Sequence, residues 1–153
     1  MKNYDHDYYM TLALEQAKQA AAEGEIPVGC VIVKDGAVIG RGRNRREGAA
    51  SALAHAEIEA IAEANKTLGT WRLGDCTMYV TLEPCPMCAG AIINARISRL
   101  YYGAKEENSG CCGSILNLFC ENFGFSPAIT GGIMEAESRK ILQDFFSDVR
   151  NKK

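Results

Sequence analysis

The chain has 153 residues, 47% of them hydrophobic and 24% charged, with a formal net charge of -2. That length supports one core of ordinary size and leaves little room for a second, so residues 1–153 read as a single domain, and the composition excludes the disordered and fibrous classes. The charge balance excludes a uniformly basic nucleic-acid binder, no apolar run reaches the roughly 18 residues of a membrane span, and Met1 to His6 lack the apolar stretch of a secretory signal.

Residues Asp7 to Glu23 carry Met10, Ala13, Leu14, Ala17, Ala20 and Ala21 at near-helical spacing, and Gly24 supplies the stop. Val28 to Val33 and Val38 to Gly40 are strand-like runs on either side of Asp35-Gly36, a dipeptide that marks a tight hairpin. Arg41, Arg43, Arg45 and Arg46 then crowd into a stretch without acids, the one concentrated basic run, and a loop through Ser51 follows. Ala52 to Lys66 has the apolar spacing of a second helix. Thr77 to Thr81 is a strand by β-propensity, Pro84 breaks it, and Pro86 suits the first turn of a helix running to Ala95. Ile97 to Tyr102 reads as the next strand, Gly103 to Gly113 as a loop, Ser114 to Cys120 as a short helix, and Ala128 to Thr130 as a last strand. Met134 to Arg150 is a final amphipathic helix with Ile141, Leu142, Phe145 and Val149. This order predicts a three-layer α/β/α fold around a central mixed five-stranded sheet, since each parallel crossover needs a helix to cover the sheet.

Seven cysteines and no secretory signal fit a reducing cytoplasm, where closely spaced cysteines point to metal or catalysis more than to disulfides. Two stretches concentrate that chemistry: Ala54-His55-Ala56-Glu57 and Pro84-Cys85-Pro86-Met87-Cys88. A catalytic zinc takes three protein ligands and leaves one position open, and His55, Cys85 and Cys88 supply such a set. Glu57, two residues after the histidine, is placed to move a proton without ligating the metal. Successive helical side chains turn by about 100°, so His55 and Glu57 can address one site only if it lies over the helix end. A closed structural zinc site is the rival reading; with His6 lying before the first helix, its fourth ligand would have to be Cys111 or Cys112. The favoured reading of Cys111 and Cys112, and of Cys30, Cys76 and Cys120, is buried packing, and Phe145 and Phe146 are likewise expected in the core. His-x-Glu followed by Pro-Cys-x-x-Cys is the signature of zinc-dependent deaminases.

With both motifs in place the chain resembles the cytidine-deaminase-like superfamily and, within it, the bacterial tRNA-specific adenosine deaminases. The likeness runs through Ile26-Pro27-Val28-Gly29, Gly40 to Asn44, Ala54 to Glu57, Tyr79 to Cys85, Met87 to Ile92 and Asp144-Phe145-Phe146. It implies a cytoplasmic homodimer with one zinc per subunit that converts the wobble adenosine of a tRNA anticodon stem-loop to inosine, releasing ammonia. His55, Cys85 and Cys88 would hold the metal, Glu57 would shuttle the proton, and Asn44, the Ala56 backbone amide and Glu106 would contact the substrate. The chain departs from that family's usual pattern at Ser51-Ala52-Leu53 and at Glu106-Glu107. Two alternatives stay open on sequence alone: a free nucleobase or nucleoside deaminase of guanine or cytosine type, and a non-catalytic zinc-stabilised RNA-binding module.

Overall fold

The structure, a computed structural model, describes residues 5–151. Its elements are α1 (His6–Ala22), β1 (Gly29–Lys34), β2 (Ala37–Arg43), α2 (Ala56–Leu68), β3 (Thr77–Leu82), α3 (Pro86–Ala95), β4 (Arg99–Ala104), β5 (Ala128–Thr130) and α4 (Glu135–Asn151). The strands form one sheet in the order β2-β1-β3-β4-β5. β1 runs antiparallel to both β2 and β3, whereas β3, β4 and β5 are mutually parallel. The expected mixed five-stranded sheet is therefore present.

Alternate side chains of a strand point to opposite faces, and the core divides accordingly. Cys30, Ile32, Met78, Val80 and Leu100 pack with α2 and α3, while Val31, Val33 and Tyr79 pack with α1 and with Ile133 and Met134, just before α4. Covering on both faces explains why β1 reads as a continuous apolar run without alternation. The β1–β2 turn places Asp35 at φ 51° and Gly36 at φ 81°, both in the left-handed region that such a two-residue hairpin demands. Ile39 is an extra residue in β2, since Ile32 pairs with Gly40 and Val33 with Val38.

Glycines in β2 fix where α2 lies. A Cβ on Gly42 would collide with the Ala56 carbonyl, and one on Gly40 with the Ala60 carbonyl. Without side chains at these two positions α2 rests directly on the strand backbone from Ala56 to Ala64.

Several expectations need correction. The second helix begins at Ala56 and not at Ala52, because the preceding backbone is engaged in turns: Arg45 N–H donates to the Ala54 carbonyl, and His55 N–H to that of Leu53. The helix expected over Ser114 to Cys120 shrinks to a single 3₁₀ turn at Leu118–Cys120. There, Ser114 N–H donates to the Glu83 carboxylate and Ile115 N–H returns to the Gly110 carbonyl. Cys111 is buried as expected, but Cys112 is half-buried and Cys120 exposed. Phe145 is half-buried, whereas Phe146 is 44% exposed and meets Phe145 edge-on. His6 opens α1 and does not precede it. Met1 to Tyr4, Lys152 and Lys153 lie outside the described residues.

Candidate metal and catalytic site

The strand pairing brings four chain segments to one end of the sheet. β3 and β4 are parallel, so Glu83-Pro84-Cys85 and Lys105-Glu106 leave the same edge; β1 is antiparallel to β3, so Ile26 to Val28 enter there; and Gly29 pairs with Arg43, which puts Asn44 beside them. Clefts outside the carboxyl ends of parallel strands are the usual ligand sites of open α/β sheets. Here the cleft is a cavity of about 180 Å³ lined by residues that include Asn44, Arg46, His55, Ala56, Glu57, Cys85 and Glu106.

The two motifs meet as helix starts. His55 is the N-cap of α2, with extended backbone at φ -87° and ψ 154°, and its side chain makes no capping bond. Cys85 caps α3 in the same extended conformation, Pro86 fills the first turn, and Cys88 lies just inside. His55 is thereby turned out of the helix while Glu57 lies within its first turn. That is how two residues that would diverge on a regular helix reach one site.

His55 Nδ1 lies 3.6 Å from Cys85 Sγ and 3.5 Å from Cys88 Sγ, and the three ligand atoms all lie within 4.8 Å of one another. A tetrahedral zinc with Zn–S of about 2.3 Å and Zn–N of about 2.0–2.1 Å sets sulfur and nitrogen about 3.6 Å apart. The donor set fits zinc in separation and in chemistry. No fourth residue joins it among the described residues. Cys111 directs its thiol at the Ser109 carbonyl, and His6 bonds to the Tyr79 hydroxyl and stacks on Tyr101 elsewhere in the fold. Neither Cys111 nor Cys112 joins the three ligands, so a closed four-ligand site has no fourth ligand among the described residues.

The electrostatics are those of thiols and a carboxylate crowded at a buried point. A hydrogen bond from the Cys88 thiol, reinforced by His55, brings Cys85 down to about 4. Cys88 is driven upward by the same bond, by burial and by Glu57. His55 is raised by its bond to Cys85. Glu57, 4% exposed, is pushed up to about 7, chiefly by burial and further by the Cys85 thiolate.

Asn44, Ala56 and Glu106 all reach the cavity wall. Asn44 is partly committed to its own loop: its side-chain amide donates to the Ile26 carbonyl at 3.2 Å, and its oxygen accepts from Arg46 N–H at 3.2 Å. One amide hydrogen remains for a ligand. Ala56 begins α2, where the first backbone N–H groups have no intrahelical acceptor. One Glu106 oxygen accepts from Asn108 N–H.

Sequence reasoning passed over other wall residues. In the arginine cluster, Arg43 pairs with Glu23 and Arg45 approaches Glu59, leaving Arg46 at the cavity. Ser109, Leu82 and Glu83 also line it. A charged residue directly before Pro84-Cys85 was the available signal for Glu83.

A MafB19-like deaminase family model matches residues 4–150. The chain is 44% identical to the tRNA-specific adenosine deaminase of Bacillus subtilis (strain 168), over 96% of this chain and 92% of that one. A solved structure from work on A-to-I editing by tRNA:A34 deaminases at the wobble position of transfer RNA superposes with a TM-score of 0.85 at 44% identity, covering 88% of this chain and 99% of the other. A guanine deaminase from Bacillus subtilis superposes less completely, with a TM-score of 0.63 and 43% identity over 66% of this chain and 65% of that one.

Proposed function

From the premise that the chain belongs to the MafB19-like deaminase family, with the tRNA-specific adenosine deaminases as near full-length relatives, we propose that it is a hydrolytic deaminase converting the wobble adenosine of a tRNA anticodon to inosine. The observation that carries this reading is the placement of the His55, Cys85 and Cys88 donors at tetrahedral separations beside a buried Glu57, in a cleft that Arg46 borders. The chain acts as a single zinc-dependent domain with one ion per subunit, held by His55, Cys85 and Cys88.

When bound, zinc supplies the Lewis acidity that makes water nucleophilic near neutral pH. Glu57 takes a proton from the attacking water and delivers protons to the purine ring nitrogen and the departing amine. Water contributes the new carbonyl oxygen, and the amine leaves as ammonia. The free amide hydrogen of Asn44 and the Ala56 N–H orient the base edge. Burial of the cavity floor keeps bulk water from competing for these protons.

An anticodon loop suits such a cleft because its bases can be splayed out with little loss of stacking. Arg46 offers a cation to the adjoining backbone, and Glu106 contacts the nucleotide from the loop after β4. Both oxygens of Glu83 already accept hydrogen bonds from protein, so that carboxylate has no capacity left for a base. Turnover also separates the proposal from a purely RNA-binding role.

The active unit is a homodimer in the cytoplasm. Support for the dimer is a surface groove formed by half-buried Met87, Gly90 and Ala91 and exposed Asn94 of α3, continued by half-buried Leu118 and exposed Phe123. No helix among the described residues is long and apolar enough to cross a membrane.

The test is incubation of zinc-loaded protein with an unmodified anticodon stem-loop carrying adenosine at the wobble position, followed by sequencing for inosine. Glu57→Ala should keep its zinc and lose turnover. Ammonia release from guanine or cytosine with none from RNA would overturn the substrate, and zinc loss on Glu57→Ala would overturn the proton-shuttle role.

A further inference from the structure

Two carboxylates beside the cleft are buried without being part of the metal and proton machinery. Glu25 is 4% exposed and Glu83 is 2% exposed, and each is aimed at backbone amides of a loop remote in sequence. Glu25 accepts from Glu47 N–H at 3.0 Å through one oxygen and from Gly48 N–H at 2.7 Å through the other. Glu83 accepts from Glu106 N–H at 3.1 Å, Cys112 N–H at 2.8 Å and Ser114 N–H at 3.2 Å, and from the Ser114 hydroxyl. Hydrogen bonds to a charged acceptor are stronger than neutral ones, and losing a buried acceptor strands every donor that used it.

The loops held in this way supply the rim of the cleft. Residues 44–48 carry Asn44 and Arg46, and residues 105–114 carry Glu106 and Ser109. Neither loop has regular secondary structure of its own at these residues. The Glu25 segment grips the first loop more than once, since the Ile26 carbonyl accepts from the Asn44 side chain and the Val28 carbonyl from Asn44 N–H at 3.1 Å. On the other loop the backbone closes so tightly over Glu83 that a Cβ at Gly110 would meet its carboxylate. By contrast, His55, Glu57 and Cys88 are set by the N-cap and first turn of α2 and by the first turn of α3.

We propose that Glu25 and Glu83 are a pair of positioning residues that clamp the two rim loops in their substrate-binding conformation, one carboxylate per loop, separately from the metal and proton machinery. The proposal rests on the anticodon-deaminase reading. Each clamp sets the affinity for the RNA through the loop residues it holds and makes no contact with the reacting atoms itself, and the two act independently because they share no loop.

The test uses the full-length zinc-loaded protein with Glu25→Gln, Glu83→Gln and the double variant, measuring kcat and KM for inosine formation on the anticodon stem-loop well below each variant's Tm, together with zinc content. An amide in place of the carboxylate turns a donor toward backbone donors. Each single variant should raise KM about tenfold, as expected for a lost charge-assisted hydrogen bond, with kcat changed far less and zinc unchanged. The double variant should show the product of the two fold-changes. A lowered Tm with unchanged KM, loss of zinc in Glu25→Gln, or a kcat loss without a KM change would overturn the clamp role. Should Glu83→Gln not fold, Ser114→Ala removes one of the four bonds and must raise KM alone for the proposal to stand. Wild-type protein in the same assay separates the two levels: if it forms no inosine, the functional reading fails, and if it turns over while the variants match it in KM, only the clamp fails.

Discussion

Replacing Glu57 with glutamine should make the metal-free protein more stable while making it inactive. The Glu57 carboxyl is buried, and burial raises it from 4.5 to about 7, with the Cys85 thiolate adding to the rise and His55 opposing it. An acid whose folded pKa exceeds its unfolded value binds more protons when folded, so stability falls as pH rises through that interval and is level above it. At pH 8 the ionised carboxylate therefore costs about 3 kcal/mol in the folded, chelated protein, and near pH 4.5 it costs almost nothing. Glutamine cannot ionise. For a domain of this size, a gain of that order moves Tm by roughly 6–12 °C. The assay is calorimetry of chelator-treated wild type and Glu57→Gln at pH 4.5, 6 and 8, with turnover and zinc uptake measured on reloaded samples. A stability difference independent of pH, or a glutamine variant less stable at pH 8, would refute the assignment of burial as the cause.

Two further perturbations follow from the geometry. Gly42→Ala sets a Cβ against the Ala56 carbonyl, and because the obstacle is backbone, the strain should lower stability by about 1–3 kcal/mol; urea unfolding should show it, with zinc affinity falling too since α2 carries His55, and an unchanged midpoint would mean that the close approach has no energetic role. Arg46→Gln should weaken stem-loop binding more at low salt than at high, reducing the slope of log K against log salt by about 1, and an unaltered slope would remove Arg46 from the RNA contacts.

The sheet, its mixed pairing and the helices on its faces were legible because they rest on local signals: apolar spacing in α1, the Asp35-Gly36 turn, and β-branched runs in β1 and β3. The ligand types were legible for a related reason. Cys85 and Cys88 occupy one helical turn, and His55 and Glu57 are two residues apart, so short spacings carried their relation. The reach of the cavity walls was not legible. Whether Arg46 or Arg43 borders the cleft depends on which finds an acid, and Glu23, which pairs with Arg43 across 20 residues, leaves no trace of that pairing in either stretch. The expected helix at Ser114 failed in the same way, because the Ser114 amide goes to Glu83, 31 residues away.

That difference between ligands and walls has an electrostatic counterpart. Cys85, Cys88 and Glu57 bring up to three negative charges to a buried point, a crowding that ordinary cores avoid. Two features of this chain offset it before any metal is considered: the N-termini of α2 and α3 both open at the site, each presenting the positive end of a helix and unpaired amides, and His55 takes up a proton more readily than a free imidazole. The offset is incomplete: the Cys88 thiol, through its bond to Cys85 and its burial, and the Glu57 carboxyl, through burial, both hold their protons more strongly than usual, and the neighbouring negative charges add to each. A dication fills that deficit, and the protons it displaces are those the crowding had retained. The same helix ends that let the sequence reveal its ligands thus also make the site one that favours a cation, and they leave Glu57, a carboxyl outside the ligand set, as the group whose proton is free to move.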